Sequence, residues 1–481
     1  MKELCLATLL LAPLHGVAHV KADVFFTQGL MVGEVTSSTA VVQVRVTKTG
    51  ALVDGVAFDD GDALRDGDLP GVEASVRFSY RTVGSSEVQW TEPVEANASN
   101  DFIARVVLSG LKAGRGYQCS AAPVGAGAEP QVSASFHTLP GATVGAPVRF
   151  HVVTGMNYDK FYAPSGYRGE DRSMGYPACV AMAKLRPDFV VYTGDDVYYD
   201  KPPKTKSIAD MRAKWHRQFS RPRMVALNGA APGYWMKDDH DHRTNDSDAV
   251  GDYFPSHDLG LRLFREQAPI FAQDDDTSPT YRTHRVSKDL QIWMLEGRDY
   301  RSPNKMTDGP GKTIWGEEQL AWIKRTLLAS DATYKLIISP TPLVGPDDGY
   351  KRDNHTNPKG FLHEGTGFKQ WCAKEKLLET GTYFICGDRH WQYHSIESSG
   401  AQEFSSGAIC DANSRIGRSP GDPKSTDPKG LIRQPYAQKR RSGGFLSVVC
   451  EPRVEERPAA LRLEFYDEQG KELYSVTPPR H

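Results

Sequence analysis

Phe189-Val190-Val191-Tyr192-Thr193-Gly194-Asp195-Asp196-Val197-Tyr198-Tyr199-Asp200 is the stretch around which the chain is organised. It opens on an unbroken apolar run, the pattern of a strand buried on both faces of a sheet. It then releases carboxylates and phenols, Asp195, Asp196, Tyr198 and Tyr199, directly after Gly194. Ligands of α/β sheets gather beyond the carboxyl ends of strands, and glycine lets the backbone turn sharply or approach a ligand closely. One such ending is also what an ordinary solvated turn looks like. Three later stretches repeat the design. Gly233-Tyr234-Trp235-Met236 runs into Lys237-Asp238-Asp239-His240-Asp241-His242, and Leu290–Leu295 runs into Glu296-Gly297-Arg298-Asp299-Tyr300-Arg301. Gly381–Cys386 runs into Gly387-Asp388-Arg389-His390. Apolar runs that repeatedly end in acids, imidazoles and guanidiniums point to one shared site.

Outward from this centre, strands alternate with helical patterns from Arg149 onward, which argues for βαβ units. Strands are expected at Phe150–Val153 and Tyr334–Ser339, and helices at Tyr176–Leu185, Ala209–Ser220 and Gly316–Ser330. Ser447–Cys450 and Leu461–Tyr466 read as a final antiparallel pair. A polar loop from Pro346 to Glu364 is long enough to wall a site, and Ile416–Arg441, rich in Pro, Gly, Lys and Arg, reads as an irregular excursion. Before Pro140 the chain reads as all-β. Its Gly110–Tyr117 segment is similar to the corner of fibronectin type III sandwiches, where a leucine plugs the core and a tyrosine hydroxyl bonds back to upstream backbone. Residues 1–22 carry Lys2, an apolar run and small residues near Ala22, the pattern of an export signal. The expected division is therefore signal 1–22, sandwich 23–140 and catalytic domain 148–481.

The 481 residues hold 58 Lys+Arg against 60 Asp+Glu, so no strongly basic, sequence-reading nucleic-acid binder is expected. Hydrophobic residues at 39% suffice for a packed core, and no later apolar run is long enough to span a bilayer. Outside the expected signal lie Cys119, Cys179, Cys372, Cys386, Cys410 and Cys450. An even number permits disulfides in an exported protein, and their wide spacing is not that of a zinc finger.

Oxygen donors with a few imidazoles suit hard or borderline metal ions, and the candidates exceed what one ion needs. Asp195 suits a bridging position, because a carboxylate can touch two cations. Tyr198, three residues on, can wrap back onto the same ion; a phenol of reference pKa about 10 binds as phenolate only beside a strong Lewis acid, which hints at ferric iron. Asp239, Asp388 and His390 complete the set. In such a site a hydroxide attacks phosphorus in line while the metals neutralise developing charge. His240 suits the proton donor to the leaving oxygen, and Arg298 and Arg389 suit phosphoryl oxygens.

The ordered set GDxxY, DDHD and GDxH resembles the PhoD-like branch of the calcineurin-type metallophosphoesterases, and Glu296–Arg301 resembles that branch's D-x-R-x-Y-R stretch. The resemblance places Asp195 on the bridging aspartate, Asp239 on the ligand asparagine of GNHD, and His240 on its proton donor, with Asp241 beside it. Asp388 takes the position of the first histidine of GHxH, and His390 the second. It implies an α/β metallophosphoesterase fold of two mixed β-sheets flanked by helices, preceded by a fibronectin III-like sandwich. It further implies a secreted alkaline phosphatase or phosphodiesterase with a dinuclear or larger centre of ferric iron and calcium, manganese, zinc and magnesium being alternatives. Its substrates would be small-molecule phosphate esters or phosphodiester polymers.

The chain departs from the pattern twice. Where the family carries a metal-binding cysteine, the chain reads Thr154-Gly155-Met156-Asn157, and Asn157 is the candidate to supply an amide oxygen instead. The histidine many relatives have after the penultimate core strand is missing from Ser339-Pro340-Thr341; Asp348, Asp353 and His355 are candidates to stand in, the latter two also as substrate contacts. These gaps leave two competing readings: an exported binding protein with a degenerate site, and a hydrolase of another ester such as a sulfate.

Overall fold

The computed structural model describes residues 24–52, 69–125 and 129–478. The expected export signal lies outside them.

Two sheets carry the site. The first has nine strands in the spatial order Glu472–Val476, Ala460–Asp467, Gly444–Glu451, Val148–Val153, Phe189–Thr193, Gly233–Met236, Met31–Gly33, Ala40–Arg45 and Ile103–Leu108. The second has seven, in the order Arg282–Arg285, Leu290–Met294, Tyr334–Ser339, Thr382–Cys386, Gln402–Ser406, Gln392–Ile396 and Arg433–Ala437. Each has a parallel centre and antiparallel edges. The period-two alternation of side chains across a strand explains the layering. Phe189 and Val191 point into the space between the sheets, with Phe150, Ile338, Ile385 and Leu446. Val190 and Tyr192 point the other way, onto Met182, Met211, Trp215 and Phe264 from the helices Pro177–Lys184, Ile208–Phe219 and His257–Gln267. On the far side, Trp293, Ile337 and Phe384 bury against Ile323, Leu327 and Phe368 of the helices Gly316–Ala329 and Leu362–Lys374. Each fully buried side chain of this size is worth about 1.5–3 kcal/mol, so the strands are pinned in register and their tips are held rigidly. This is the expected arrangement of two mixed sheets flanked by helices.

The N-terminal strands form two faces. Ala40–Arg45 and Ile103–Leu108 lie over a five-stranded sheet built on Ala74–Thr82, Gly116–Pro123 and Val132–His137. Tyr117 Oη accepts a hydrogen bond from Lys112 N at 2.8 Å and Leu111 is buried, the expected corner. The first face is also part of the nine-stranded sheet, because Gly33 pairs in parallel with Gly233. A Cβ at Gly33 would stand 2.1 Å from the Pro269 carbonyl oxygen, so only glycine fits.

Two expectations change, and the open point of the cysteines is answered. The Ile416–Arg441 segment is not wholly irregular: Arg433–Ala437 pairs with Gln392–Ile396 at the edge of the second sheet. The polar loop ends earlier than Glu364, which already lies in the helix Leu362–Lys374. Cys119, Cys179, Cys372, Cys386, Cys410 and Cys450 are all buried and free of disulfides.

Candidate metal centre

Two Gly-Asp corners form the floor. Asp195 (φ 60°) and Asp388 (φ 54°) each follow a glycine at a strand tip and adopt the left-handed conformation, which aspartate tolerates better than most residues but which still costs free energy. At Gly194 (φ 88°) a Cβ would stand 2.3 Å from Asp238 N, so the two strand ends approach as closely as backbone allows.

Around Asp195 the expected residues converge. Tyr198 Oη donates to Asp195 Oδ2 at 2.8 Å, and His390 Nε2 lies 3.0 Å from the same oxygen and 3.3 Å from the phenol. Donor atoms of Asp195, Asp239 and His240 all lie within 4.8 Å of one another. A second group, Asp239, Asp246 and Asp353, meets the same limit and shares Asp239. Asp195 Oδ1, both oxygens of Asp196 and both oxygens of Asp353 are buried without a hydrogen-bond partner. Buried carboxylate oxygens left unpaired are costly; a cation removes that cost. The donors are carboxylates, a phenol and an imidazole, a set that fits hard or borderline ions.

The electrostatics agree. Burial pushes Asp195 up to about 7, with Asp239 reinforcing and His240 opposing. Burial lifts Asp196 and Asp241 well above the carboxylate range, with Asp195 repelling both and Asp196 adding to Asp241. Burial would raise Asp239 too, but His240, Arg298 and Lys351 hold it well below that range. His240 rises to about 9 although burial opposes it, because Asp239, Asp195 and Asp200 surround it. Its Nδ1 is bound to Asp200 Oδ1 at 2.6 Å, which fixes the ring. Burial pushes Tyr198 well above the ordinary phenol value, and Asp195 adds to this.

The remaining expected residues do other things. Asp241 accepts from the backbone N–H of Asp238 (2.6 Å) and Asp196 (3.1 Å), so it ties two strand tips together and is not aimed at a substrate. Arg298 is fully buried, with Nε on Asp238 Oδ1 at 2.8 Å and Nη1 on the Ser247 carbonyl at 2.7 Å; it has no nitrogen to spare for a phosphate. Arg389 is likewise buried between Asp347, at 2.6 Å, and Asp388. Asn157 Oδ1 caps the short helix Tyr158–Tyr162 by accepting from Lys160 N at 3.0 Å, which competes with metal binding. His355 faces Glu364 at 2.9 Å and packs on Trp315, so it does not replace the missing histidine.

Gly155 (φ 67°) explains the absent cysteine in space: a Cβ there would lie 3.1 Å from both His390 Cδ2 and Ala408 Cβ. The ring of a candidate ligand and a methyl group crowd the thiolate position, and the left-handed backbone strains any side chain there. Four residues escaped the sequence reading. Asp200 lies within the opening stretch, and Asp246 and Lys351 form an ion pair beside Asp239. Asn413 donates to Tyr198 Oη at 3.1 Å and to the Gly155 carbonyl at 2.9 Å, from a segment carrying no motif.

The family model of the PhoD-like phosphatases matches residues 150–415. A search of the curated proteins finds no match. Among solved structures, the one titled "Structure of PhoD" superposes with a TM-score of 0.70 at 17% identity, covering 94% of this chain and 89% of that one. The purple acid phosphatase PPD1 from yellow lupin (Lupinus luteus) seeds gives 0.60 at 11% identity, over 93% and 73%. At these identities the superpositions speak for the fold alone, and the family model, spanning the strand tips that carry the acids, speaks for the chemistry. The protein belongs to the PhoD-like phosphatase family and is a metal-dependent phosphoric ester hydrolase.

Proposed function

We propose that Asp195, Tyr198, Asp239, Asp388 and His390 hold the metal ions, with Asp246 and Asp353 serving the second ion where the family histidine is missing. The observation that carries this reading is the pair of acid clusters sharing Asp239, with Asp195 Oδ1 buried without a partner and both Asp353 oxygens buried without a hydrogen bond, the nearest guanidinium contact being Arg298 at 3.8 Å. The bound metals would supply Lewis acidity and a water acidified to near neutrality. His240 then gives its proton to the departing ester oxygen, and Asp200 keeps the imidazole oriented and stabilises its charged form. Burial of the surrounding acids keeps bulk water from screening these charges. The substrates are phosphate esters, small or polymeric.

With no thiolate at position 155, the donors are oxygen and nitrogen alone, which favours ferric iron and calcium over softer ions. A phenol held as far above its ordinary value as Tyr198 ionises only against a strong Lewis acid, which supports the ferric assignment. Residues 1–22 are proposed to direct export. The test pairs metal analysis of purified protein with hydrolysis of p-nitrophenyl phosphate and bis(p-nitrophenyl) phosphate. Chelation should abolish turnover and readdition of iron and calcium should restore it; turnover by metal-free protein at the untreated rate overturns the proposal.

A further inference from the structure

Arg298 and Arg389, the two guanidiniums expected to hold phosphate, are consumed by buried carboxylates. A phosphoryl group entering beside Asp195 and His390 therefore needs another cation.

Arg415 is differently placed. Its backbone N–H donates to the His390 carbonyl at 2.9 Å, so it sits against the strand tip that carries a candidate metal ligand. Its Cζ lies 5.1 Å from the centroid of the Trp391 ring. Gly417 holds the chain flat there, since a Cβ would stand 2.0 Å from the indole. The indole, itself buried, thus fixes the direction of the side chain. Nε of Arg415 is buried with no hydrogen-bond partner, as is Nε of Arg389, but unlike Arg389 its guanidinium makes no ion pair with any described residue. The two carboxylates that act on it electrostatically are already taken: Asp347 by Arg389, and Asp348 by Arg418.

A guanidinium with a buried Nε and no anion has given up part of its hydration and gained no partner in return. A planar, fork-shaped donor beside a phosphoryl centre matches paired phosphoryl oxygens.

We propose that Arg415 is the residue that binds the phosphoryl oxygens of the substrate, taking the role that Arg298 and Arg389 cannot play. This rests on the reading of the Asp195–His390 cluster as the hydrolytic centre. The test uses the full-length, metal-loaded protein and its Arg415→Ala and Arg415→Lys variants. Each is assayed with bis(p-nitrophenyl) phosphate and with inorganic phosphate as competitor. Arg415→Ala should raise KM and the phosphate inhibition constant together, by about tenfold or more, with metal content and melting temperature at wild-type values. Arg415→Lys should recover part of both. Wild-type KM and phosphate inhibition in Arg415→Ala overturn the proposal, as does a variant whose only change is lost metal or a lowered melting temperature. Should the metal-loaded wild type hydrolyse no ester, the hydrolytic reading falls instead. Calorimetric binding of inorganic phosphate, weakened or not in Arg415→Ala, then still decides the role of Arg415.

Discussion

Two buried charge clusters lie side by side in this protein, built from the same residue types and completed in opposite ways. Around Arg298, Arg389 and Lys237 every guanidinium or ammonium meets carboxylates: Asp238, Asp347, Glu296 and Asp299, while Asp388, proposed above as a metal ligand, is shared between the two clusters through Arg389. Around Asp195, Asp196 and Asp353 the acids keep oxygens that no described residue hydrogen-bonds, Asp353 having only a long contact of 3.8 Å to Arg298. The paired cluster is scaffold, since its charges cancel internally and its removal leaves uncompensated charge. The unpaired cluster is unfinished without cations, and that is where the metals belong. Partner accounting, not residue type, separates the two.

The sharpest way to break this comparison is Asp195→Asn. Phosphate ester hydrolysis should fall about a thousandfold or more, the equivalent of about 4 kcal/mol of transition-state stabilisation. The melting temperature of the metal-free protein should hold or rise, because a carboxylate lifted to about 7 by burial has been removed. A large fall in metal-free stability would place Asp195 in the scaffold instead.

Arg298→Met is the converse. It strands Asp238 in the interior and should cost about 3–5 kcal/mol of stability, with metal or without it, in denaturant unfolding. A loss confined to the metal-loaded protein would assign Arg298 to the site.

A third, smaller test uses the paired acid Glu34, which accepts from Arg282 Nε at 2.7 Å and faces His284 at 2.9 Å. Burial raises this carboxyl, but Arg282 and His284 outweigh it and hold it at about 2, below its ordinary 4.5. A depressed carboxylate contributes its stability above the unfolded value and loses it as pH falls through the folded one. Glu34→Gln should therefore cost about 2–3 kcal/mol near neutrality, and the gap from wild type should close between pH 4.5 and about 2. A gap that persists at pH 2 would count against the ion pair as its source.

What could be read from the chain follows the same division. The strand tips were legible because an apolar run followed by Gly-Asp is a local signal, and Asp195 and Asp388 needed nothing else. The fates of Arg298, Arg389 and His355 were not, since their partners Asp238, Asp347 and Glu364 come from other elements. Asp200 was in plain view, yet its role depends on His240, from the short helix after a neighbouring strand. The strand Arg433–Ala437 was missed because it contains Pro435, which cannot donate to a ladder and is tolerated only at an edge, where this strand lies. Asn413 left no trace in the motif pattern, because an asparagine in a short polar turn looks like any other.

The pairing of Gly33 with Gly233 makes the front of the molecule a splint for its working half. Cutting the chain near residue 140 would strip the strand Gly233–Met236 of its outer neighbour and bare its hydrogen-bonding edge, a template for aggregation. That strand leads directly into Asp238, Asp239 and His240. Amputating the sandwich would thus loosen the very corner on which both acid clusters pivot.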